Sequence, residues 1–363
     1  GLARTTATDI QEVFERPSQM WDLSDQVTIE FGGTGTTYDP TATTSFRANT
    51  NAVNAEGGFI RSHNNTKWGA YVGHQSTSLN YMLSGATVGV ALTPTAAAAP
   101  NSNSEFRRLE NPLNLWYGMK TGDLELGFNL FYASSERKAG FDQNKKSAYG
   151  VSFGAKADRW SADAVVGLGA KVEDTSTGAN SDFKSTASFK IDTQYAVNDD
   201  ISVYGILTNF GGKTTNAGVE VSDLEHMRLQ LGVESKIKSD VAHFFYGAQL
   251  DNGTEKNKAT NANPEKVEFM VMPLYFGFEV DAASWLVVRA NLRQNVLLNS
   301  VKQSSATAAL DGDNNVDSTS AGLGAGLKFG KLLVDGTMAA GTSGRLGSDG
   351  ANFMSNLSAT YMF

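Results

Sequence analysis

The sequence predicts an all-β fold, a transmembrane antiparallel β-barrel of about sixteen strands, with short turns at one rim and long loops at the other. Three observations support this prediction. Apolar and polar residues alternate along most of the 363-residue chain, as they do in strands that separate two environments. Compact turn signals recur about every 40 residues, the length of two barrel strands and a loop. The last segment alternates in the same way and ends on Phe363.

Seven short turn signals, rich in Gly, Asn, Asp or Ser, predict where pairs of strands are joined. They lie at 63–66, 120–123, 157–159, 197–200, 238–240, 281–284 and 329–331. Longer polar segments of variable length lie between them, at 35–53, 75–104, 135–146, 174–181, 211–225, 252–265, 297–319 and 341–350. Seven joined pairs of strands, with one strand at each end of the chain, give sixteen. Fourteen and eighteen are the alternatives. An even number places both termini at the rim with the short turns, which is the periplasmic rim of bacterial barrels.

The segment 124–132 illustrates the alternation. Leu126, Phe128 and Leu130 lie on one face of the strand, and Glu125 and Asn129 lie on the other. A soluble β-sandwich alternates as well, but its turns do not separate into short and long sets. The pattern therefore favours the membrane barrel.

Composition agrees with this fold and excludes other classes of protein. The net charge of −8 argues against a nucleic-acid partner. The absence of cysteine excludes disulfides and thiolate metal sites. The longest nearly uninterrupted apolar run, 269–278, contains Pro273 and falls short of the roughly 20 residues of a membrane helix. Barrel strands escape a hydropathy scan because only alternate residues meet lipid.

Segment 75–104 is the longest of the predicted loops. Its stretches Met82–Leu92 and Ala96–Ala99 are too apolar for a loop surrounded by water. Porins fold one long loop into the barrel as a constriction, and this segment is similar to that device. Two additional strands are the competing interpretation.

The faces opposite the apolar ones carry both signs of charge in nearly equal number. On the lipid face a Lys or Arg costs about 2–4 kcal/mol near the bilayer midplane, so these charges are predicted to face the lumen. A barrel of about sixteen strands is wide enough to hold an aqueous channel, although a salt-bridged and closed interior is the alternative. The predicted lumen-lining residues are Glu125, Lys156, Asp163, Lys171, Lys184, Lys190, Asp192, Arg228, Glu234, Glu268, Glu279, Arg289, Arg293 and Lys328.

No enzyme or cofactor site is predicted. The histidines His63, His74, His226 and His243 are scattered singly, without the spacing of a metal site. The glycine-rich run 322–330 alternates with apolar residues and reads as a strand rather than a dinucleotide loop. The acidic segment 311–317 lacks the glycine and the distal glutamate of a calcium loop, so a surface loop is favoured.

Two terminal segments resemble known families. The closing segment 353–363, with its terminal Phe, resembles the last strand of bacterial outer-membrane barrels. The segment 9–20 resembles the start of the long-chain fatty-acid transporter family, with Arg16 and Ser18 where that family has Asn and Ala. This second resemblance implies a short helix that can form a hatch, and fourteen strands. The overall style also resembles the abundant porin-like proteins of predatory Bdellovibrio-type bacteria.

These observations predict an N-terminal periplasmic or lumenal segment over 1–25, followed by the barrel over 26–363. The chain begins at Gly1 and is interpreted as a processed form. The predicted function is a porin-like channel for passive diffusion of small solutes. The alternatives are a structural barrel with a closed lumen and a transporter of hydrophobic substrates. The predicted partners are outer-membrane lipid, lipopolysaccharide and further copies of the chain, because small and aromatic residues such as Ala325 and Phe329 face outward on the late strands.

Overall fold

The structure is a computed structural model of the whole chain. It describes residues 10–32, 54–74, 112–139, 142–176, 179–186, 188–258, 265–305, 312–314, 319–340 and 352–363. Within these ranges, no helix is long and apolar enough to span a bilayer.

Two short helices precede the strands. They are the α-helix α1 (Ile10–Val13) and a 3₁₀ helix (Pro17–Asp22), and the second begins at a proline, which suits the first helical position. The strands are β1 (Gln26–Gly32), β2 (Asn54–His63), β3 (Thr66–Val72), β4 (Leu113–Thr121), β5 (Leu124–Ala139), β6 (Asp142–Lys156), β7 (Trp160–Ser176), β8 (Ala179–Ser185), β9 (Ser188–Ala196), β10 (Ile201–Asn216), β11 (Val219–Lys238), β12 (Ala242–Asn257), β13 (Glu265–Ala283), β14 (Leu286–Ser305), β15 (Gly312–Asn314), β16 (Ser320–Phe329), β17 (Leu332–Ala340) and β18 (Asn352–Met362).

The strands form one closed antiparallel barrel. Each strand pairs with its neighbours in the chain, and β1 pairs with both β2 and β18, which closes the ring. β8 and β9 both lie between β7 and β10, and therefore share one position in the wall. β15 and β16 share another, because both pair with β14. The described residues thus occupy sixteen strand positions, which confirms the predicted count and differs from the fourteen of the fatty-acid transporter resemblance.

All seven predicted short turns are found, and they lie at one end of the barrel, here named the short-turn rim. Asn64 and Gly330 have positive φ angles of 52° and 62°, which a tight reversal between two strands requires. The opposite end is named the loop rim. Several predicted loops there are strand extensions instead: the hairpin of β10 and β11 continues to Ala217 and Gly218. Segments 75–104 and 341–350 lie outside the described residues.

The outer face of the barrel is a belt of exposed apolar side chains, which is what a membrane-spanning barrel presents to lipid. A soluble protein would rarely expose such a continuous apolar surface. The exposed residues of this belt include Val27, Ile29, Phe31, Leu115, Tyr117, Phe128, Leu130, Tyr132, Phe153, Ile191, Val203, Leu229, Leu231, Phe244, Tyr246, Phe276 and Leu323.

One irregularity changes which side chains face the lumen. Tyr149 pairs with Gly169 and Gly150 pairs with Gly167, so Leu168 has no partner across from it. The matching shift between β8 and β10 occurs near Thr186. A bulge adds one residue to a strand, and the side chains beyond it then point to the opposite face. Above this level, β7 and β8 therefore face the other way from what strict alternation predicts.

The largest apolar core lies inside the barrel, where the N-terminal helices meet the wall. Ile10, Val13 and Phe14 of the N-terminal segment are buried against Tyr71 of β3 and Trp116 of β4. Trp116 is thus an interior anchor and does not reach the membrane interface. A second apolar cluster lies higher in the lumen and contains Phe131, Ala148, Val172 and Phe183.

Candidate functional site

The candidate site is the lumen of the barrel, which is divided by residues 10–25, here named the N-terminal plug. The plug runs down the inner wall. Near the loop rim, Gln11 donates a hydrogen bond of 2.8 Å to Glu56. Near the short-turn rim, the Trp21 indole N–H donates to the carbonyl oxygen of Leu126 at 2.9 Å. The plug therefore spans much of the height of the lumen.

Glycines on the inner wall make room for the plug. A Cβ atom built on Gly127 would lie 2.1 Å from the carbonyl oxygen of Pro17, and one on Gly118 would lie 2.6 Å from the sulfur of Met20. At Gly154, such a Cβ would lie 3.0 Å from the backbone nitrogen of Ser18. Because any side chain would collide with the plug, these glycines permit its close approach to β4, β5 and β6.

Buried hydrogen bonds hold the middle of the plug. Asp163 of β7 accepts two, from the backbone N–H of Ser18 at 2.9 Å and from its hydroxyl at 2.8 Å. The carbonyl oxygen of Phe14 accepts one from Ser152 of β6 at 3.1 Å. A hydrogen bond to a charged group contributes about 1.5–3 kcal/mol, so Asp163 is the strongest polar anchor of this segment.

Ion pairs and rings fix the rest of the plug. Glu15 pairs with Lys190 of β9, and Asp22 pairs with Lys156 of β6. The ring of Phe14 stacks on His74, with centroids 3.4 Å apart and planes 8° apart. The plug thus contacts the wall by charge, hydrogen bonding and stacking along β3 to β9.

Part of this interface is imperfectly satisfied. The Asn114 side-chain N–H group, the Trp116 indole N–H and the Asn129 side-chain oxygen are buried without a hydrogen-bond partner. Leaving such a group buried and unpaired costs about 1–3 kcal/mol. The plug interface is therefore weaker than its number of contacts suggests.

The wall that the plug does not cover carries a layer of charged and polar side chains. Arg228 and Asp251 form a two-bonded ion pair, in which Nε donates at 2.7 Å. Tyr275 donates to Glu234 at 3.1 Å, and Tyr204 donates to Gln249 at 3.0 Å. Side chains of β10 to β13 are thereby joined into one rigid polar surface.

A second charged group lies on β13 to β17. Arg289 donates to Glu279 at 2.5 Å and pairs with Asp335. Closer to the short-turn rim, Lys328 donates a hydrogen bond of 2.6 Å to the carboxylate of Asp281. Arg293 is exposed on the inward face of β14, at the level of Tyr275 and Ser320. Of these cations, it is the one with no ion pair within the described part of the chain.

Most of the predicted lumen residues lie on the inward face of their strands. Those at the plug or beside it are Glu125, Lys156, Asp163, Lys190 and Asp192. Those on the uncovered wall are Arg228, Glu234, Glu279, Arg289, Arg293 and Lys328. Whether they line a path for solutes stays a prediction.

The prediction is wrong for Lys171, Lys184 and Glu268, which lie on the outer face. The bulge at Leu168 and the matching shift near Thr186 reverse the faces, so that Val172 and Phe183 are buried inside instead. On β13 no shift is involved. Val267 and Phe269 face inward, and Glu268 faces outward because the pattern above the apolar belt is inverted, with apolar residues inside and charges outside.

Sequence reasoning missed the plug residues that meet the wall. Glu15, Ser18 and Asp22 carried no pattern of their own, because a short irregular segment has no periodicity to read. The inward glycines at 118, 127 and 154 were the available signal, since glycine within a strand often marks a close approach of another backbone.

Metal ligation has no candidate among the described residues, where no group of three His, Asp or Glu side chains comes together. Most of the acidic segment 311–317 lies outside them.

Comparisons with known proteins give no family for this chain. No family model matches the chain, and no curated protein does. Among solved structures, the chain is similar to BauA, the ferric preacinetobactin receptor of Acinetobacter baumannii, with a TM-score of 0.43 and 10% identity over 67% of this chain and 48% of the receptor. It thus spans about half the length of that receptor. A bacterial polysaccharide outer membrane secretin gives a TM-score of 0.40 and 8% identity over 94% of this chain and 98% of the secretin. The toluene transporter TbuX of Ralstonia pickettii gives a TM-score of 0.37 and 11% identity over 97% of this chain and 93% of the transporter. Similarities at this level do not indicate the function of this chain.

Proposed function

We propose that this chain is a channel of the bacterial outer membrane. Small polar solutes diffuse passively through the part of the lumen that the N-terminal plug leaves free. The proposal requires a water-filled path between the plug and the wall formed by β13 to β17. It also requires that this path is lined by groups that a passing polar solute can contact.

The observation that supports it is the exposure of charged side chains on the inward face of β13 and β14. Against the plug, Asp163 is 2% exposed, and on β11 and β12 the inward carboxylates of Glu234 and Asp251 are 1% exposed. On β13 and β14, by contrast, the inward side chain of Glu279 is 45% exposed, and Arg293 is also exposed. Ionised side chains remain charged inside a barrel only where water or counter-ions reach them. Their exposure indicates a hydrated space beside the plug.

A second candidate function, a barrel with a closed lumen, is favoured by the plug itself. The plug contacts the wall from the loop rim to the short-turn rim. A closed barrel would serve the membrane as a structural component. The conductance of the purified barrel distinguishes the open channel from the closed barrel.

The test is single-channel conductance of the purified barrel in a planar bilayer. The intact chain is expected to give discrete open steps. Replacing Arg293 by Glu is expected to shift the reversal potential in a salt gradient toward cation preference, because the charge on an exposed lumen position changes sign. Leu292→Gln, on the outer face beside it, is the matched control. Silence of the intact chain, followed by opening when residues 1–20 are deleted, would support the closed barrel. Silence of both would contradict the channel.

Localisation and orientation belong to the same proposal. The short-turn rim, with Phe363 and the start of β1, is placed in the periplasm and the loop rim outside the cell. An epitope inserted between Ala217 and Gly218 is then expected to be detected on intact cells. An epitope in the turn at Asn198 is expected to be detected only after permeabilisation. Detection in the opposite order would reverse the orientation.

A further inference from the structure

The outer face of the barrel carries three lysines side by side just above the apolar belt. Lys184 of β8 is paired across the sheet with Lys171 of β7 on one side and with Lys213 of β10 on the other. All three face outward, because the residues beside them, Val172, Phe183 and Gly212, are buried on the inward face. We name this set the lysine row.

Like charges that face each other on adjacent strands repel and destabilise the strand pair. The two lysines at the ends of the row, Lys171 and Lys213, each have a carboxylate partner. Lys171 pairs with Glu173, and Lys213 donates to Glu220 at 3.1 Å and lies 3.3 Å from Asp223. Lys184, in the middle, makes no ion pair or hydrogen bond with any described residue.

The height of the row on the barrel identifies its surroundings. The next outward positions below it include Gly211 and Glu225, which are paired with each other, and below these the outer face is apolar, with Leu168 and Met227 57% and 56% exposed. The acidic residues Glu173 and Asp182 lie one pair of residues above it. The row therefore lies where the hydrocarbon ends and the lipid headgroups begin.

We propose that the lysine row binds a phosphate group on the headgroup of an outer-leaflet glycolipid, such as the phosphorylated glucosamine of lipid A. This inference rests on the proposed outer-membrane location, with the loop rim outside. A phosphate offers several strong acceptor oxygens, and ammonium groups on neighbouring strands, about 5 Å apart at their bases, can reach one such group together. Binding would neutralise Lys184 and remove the repulsion along the row.

The uncovered charge favours an anion over a second protein. A protein partner would need a large complementary surface, whereas here charges of both signs alternate over the outer face near the loop rim. They include Lys145, Lys171, Lys184, Lys213, Lys256, Lys258 and Lys266, with Glu136, Glu173, Asp182, Glu220, Asp223, Glu225 and Glu268. Lys256 and Lys266 also face each other, but Glu225 lies across from Lys256, and Lys266 pairs with Glu268 at 2.6 Å. The lysine row differs because its middle member has no ion pair with a described residue.

The test uses native mass spectrometry of the purified barrel with bisphosphorylated lipid A and with the same lipid after removal of both phosphates. The intact barrel is expected to retain the phosphorylated lipid at least tenfold better. The triple variant K171Q/K184Q/K213Q is expected to lose this preference. The control R159Q/K238Q/K331Q removes the same number of positive charges from exposed positions at the short-turn rim. This control is expected to keep the preference for the phosphorylated lipid.

If the triple variant fails to assemble, K184Q replaces it, because that lysine makes no ion pair or hydrogen bond with a described residue. Equal retention of both lipids by the intact barrel, or an unchanged preference in the triple variant or in K184Q, would overturn the proposal. Equal competition by phosphatidylglycerol would assign the row to any phosphate and would overturn the choice of a glycolipid. None of these measurements requires conductance, so they are independent of channel activity.

Discussion

Arg293 offers the clearest single-residue test for a hydrated space beside the plug. It lies on the inward face of β14, opposite Tyr275 and Ser320, and its charge is exposed. Its neighbour Leu292 lies on the outer face, opposite Phe276. Positions 293 and 292 therefore report on the lumen side and the lipid side of β14, respectively.

We expect a cysteine at position 293 to react quickly with a charged, membrane-impermeant thiol reagent, and a cysteine at position 292 to react slowly in a bilayer. The reason is that adjacent strand residues point to opposite faces. The chain has no native cysteine to interfere. The measurement is the rate of modification by mass spectrometry. Equal rates would contradict the faces described for β14.

At this scale, simple alternation predicted the faces of Glu125, Asp163, Lys190, Arg228 and Arg289, since their strands are regular around them. It could not predict their partners. The bonds of Asp163 to Ser18 and of Lys190 to Glu15 join residues more than 100 positions apart. No local pattern contains such a contact.

Among the elements of the fold, the N-terminal plug depends most on the absence of side chains. Gly127→Val is expected to displace it, because the new Cβ would lie 2.1 Å from the carbonyl oxygen of Pro17. Overpacking of this kind costs about 1–3 kcal/mol, and the unpaired polar groups around Asn129 would gain water on release.

The measurement for Gly127→Val is limited proteolysis within residues 10–25, together with conductance, and both are expected to increase. Gly205→Val on the outer face is the matched control, because its Cβ would meet nothing closer than 3.4 Å. If Gly127→Val resists the protease as well as the native barrel does, the new side chain is accommodated by a movement of the barrel wall and the plug stays in place.

The position of the bulge in β7 leads to a prediction about deletions of single residues. Deleting Leu168 removes the residue without a partner in β6, leaves Gly167 and Gly169 opposite their present partners there, and shifts the register with β8 and β9 by one residue. Because Ala170 and Lys171 keep their faces, we expect the barrel to assemble with only a small loss of thermal stability, measured by its heat-dependent migration in gels. Deleting Val165, which pairs regularly with Ser152, moves the residues between it and the bulge to the wrong face and is expected to lower that stability. Equal effects would contradict the assigned position of the bulge.

The bulge also explains where sequence reasoning stopped at the level of elements. The seven turns and the alternation of β5 were readable, because turns and strands have local signatures. A bulge depends on how two strands pair, so the sequence around Leu168 contained no sign that Lys171 and Lys184 would face outward.

At the scale of the whole molecule, association of barrels is the remaining prediction. Outward residues of β16 and β17, among them Leu323, Ala325 and Phe329, form a surface of small and aromatic side chains. Small residues allow close packing between membrane-embedded surfaces, and a repeated contact between copies closes into a ring by rotational symmetry. We expect a homo-oligomer in mild detergent, measured by native mass spectrometry.

Ala325→Trp is expected to weaken this association, and Leu130→Trp, on the outer face of β5, to leave it unchanged. A monomer in several detergents would contradict the prediction and leave the barrel itself unaffected.

Closure of the barrel at β1 and β18 has a consequence for the order of its biogenesis. The plug directly precedes β1, whose Thr28 bonds to Thr360 of β18 at 3.0 Å, and the Phe363 N–H donates to the carbonyl oxygen of Asp25 at 3.0 Å. These contacts join the two ends of the chain, so they form late and slowly. Because the seam forms directly beside the tether of the plug, we expect the plug to enter the lumen before the last strand arrives. A barrel that closes too early would leave the plug outside the lumen, and the timing of strand addition would thereby determine how much of the lumen the plug fills.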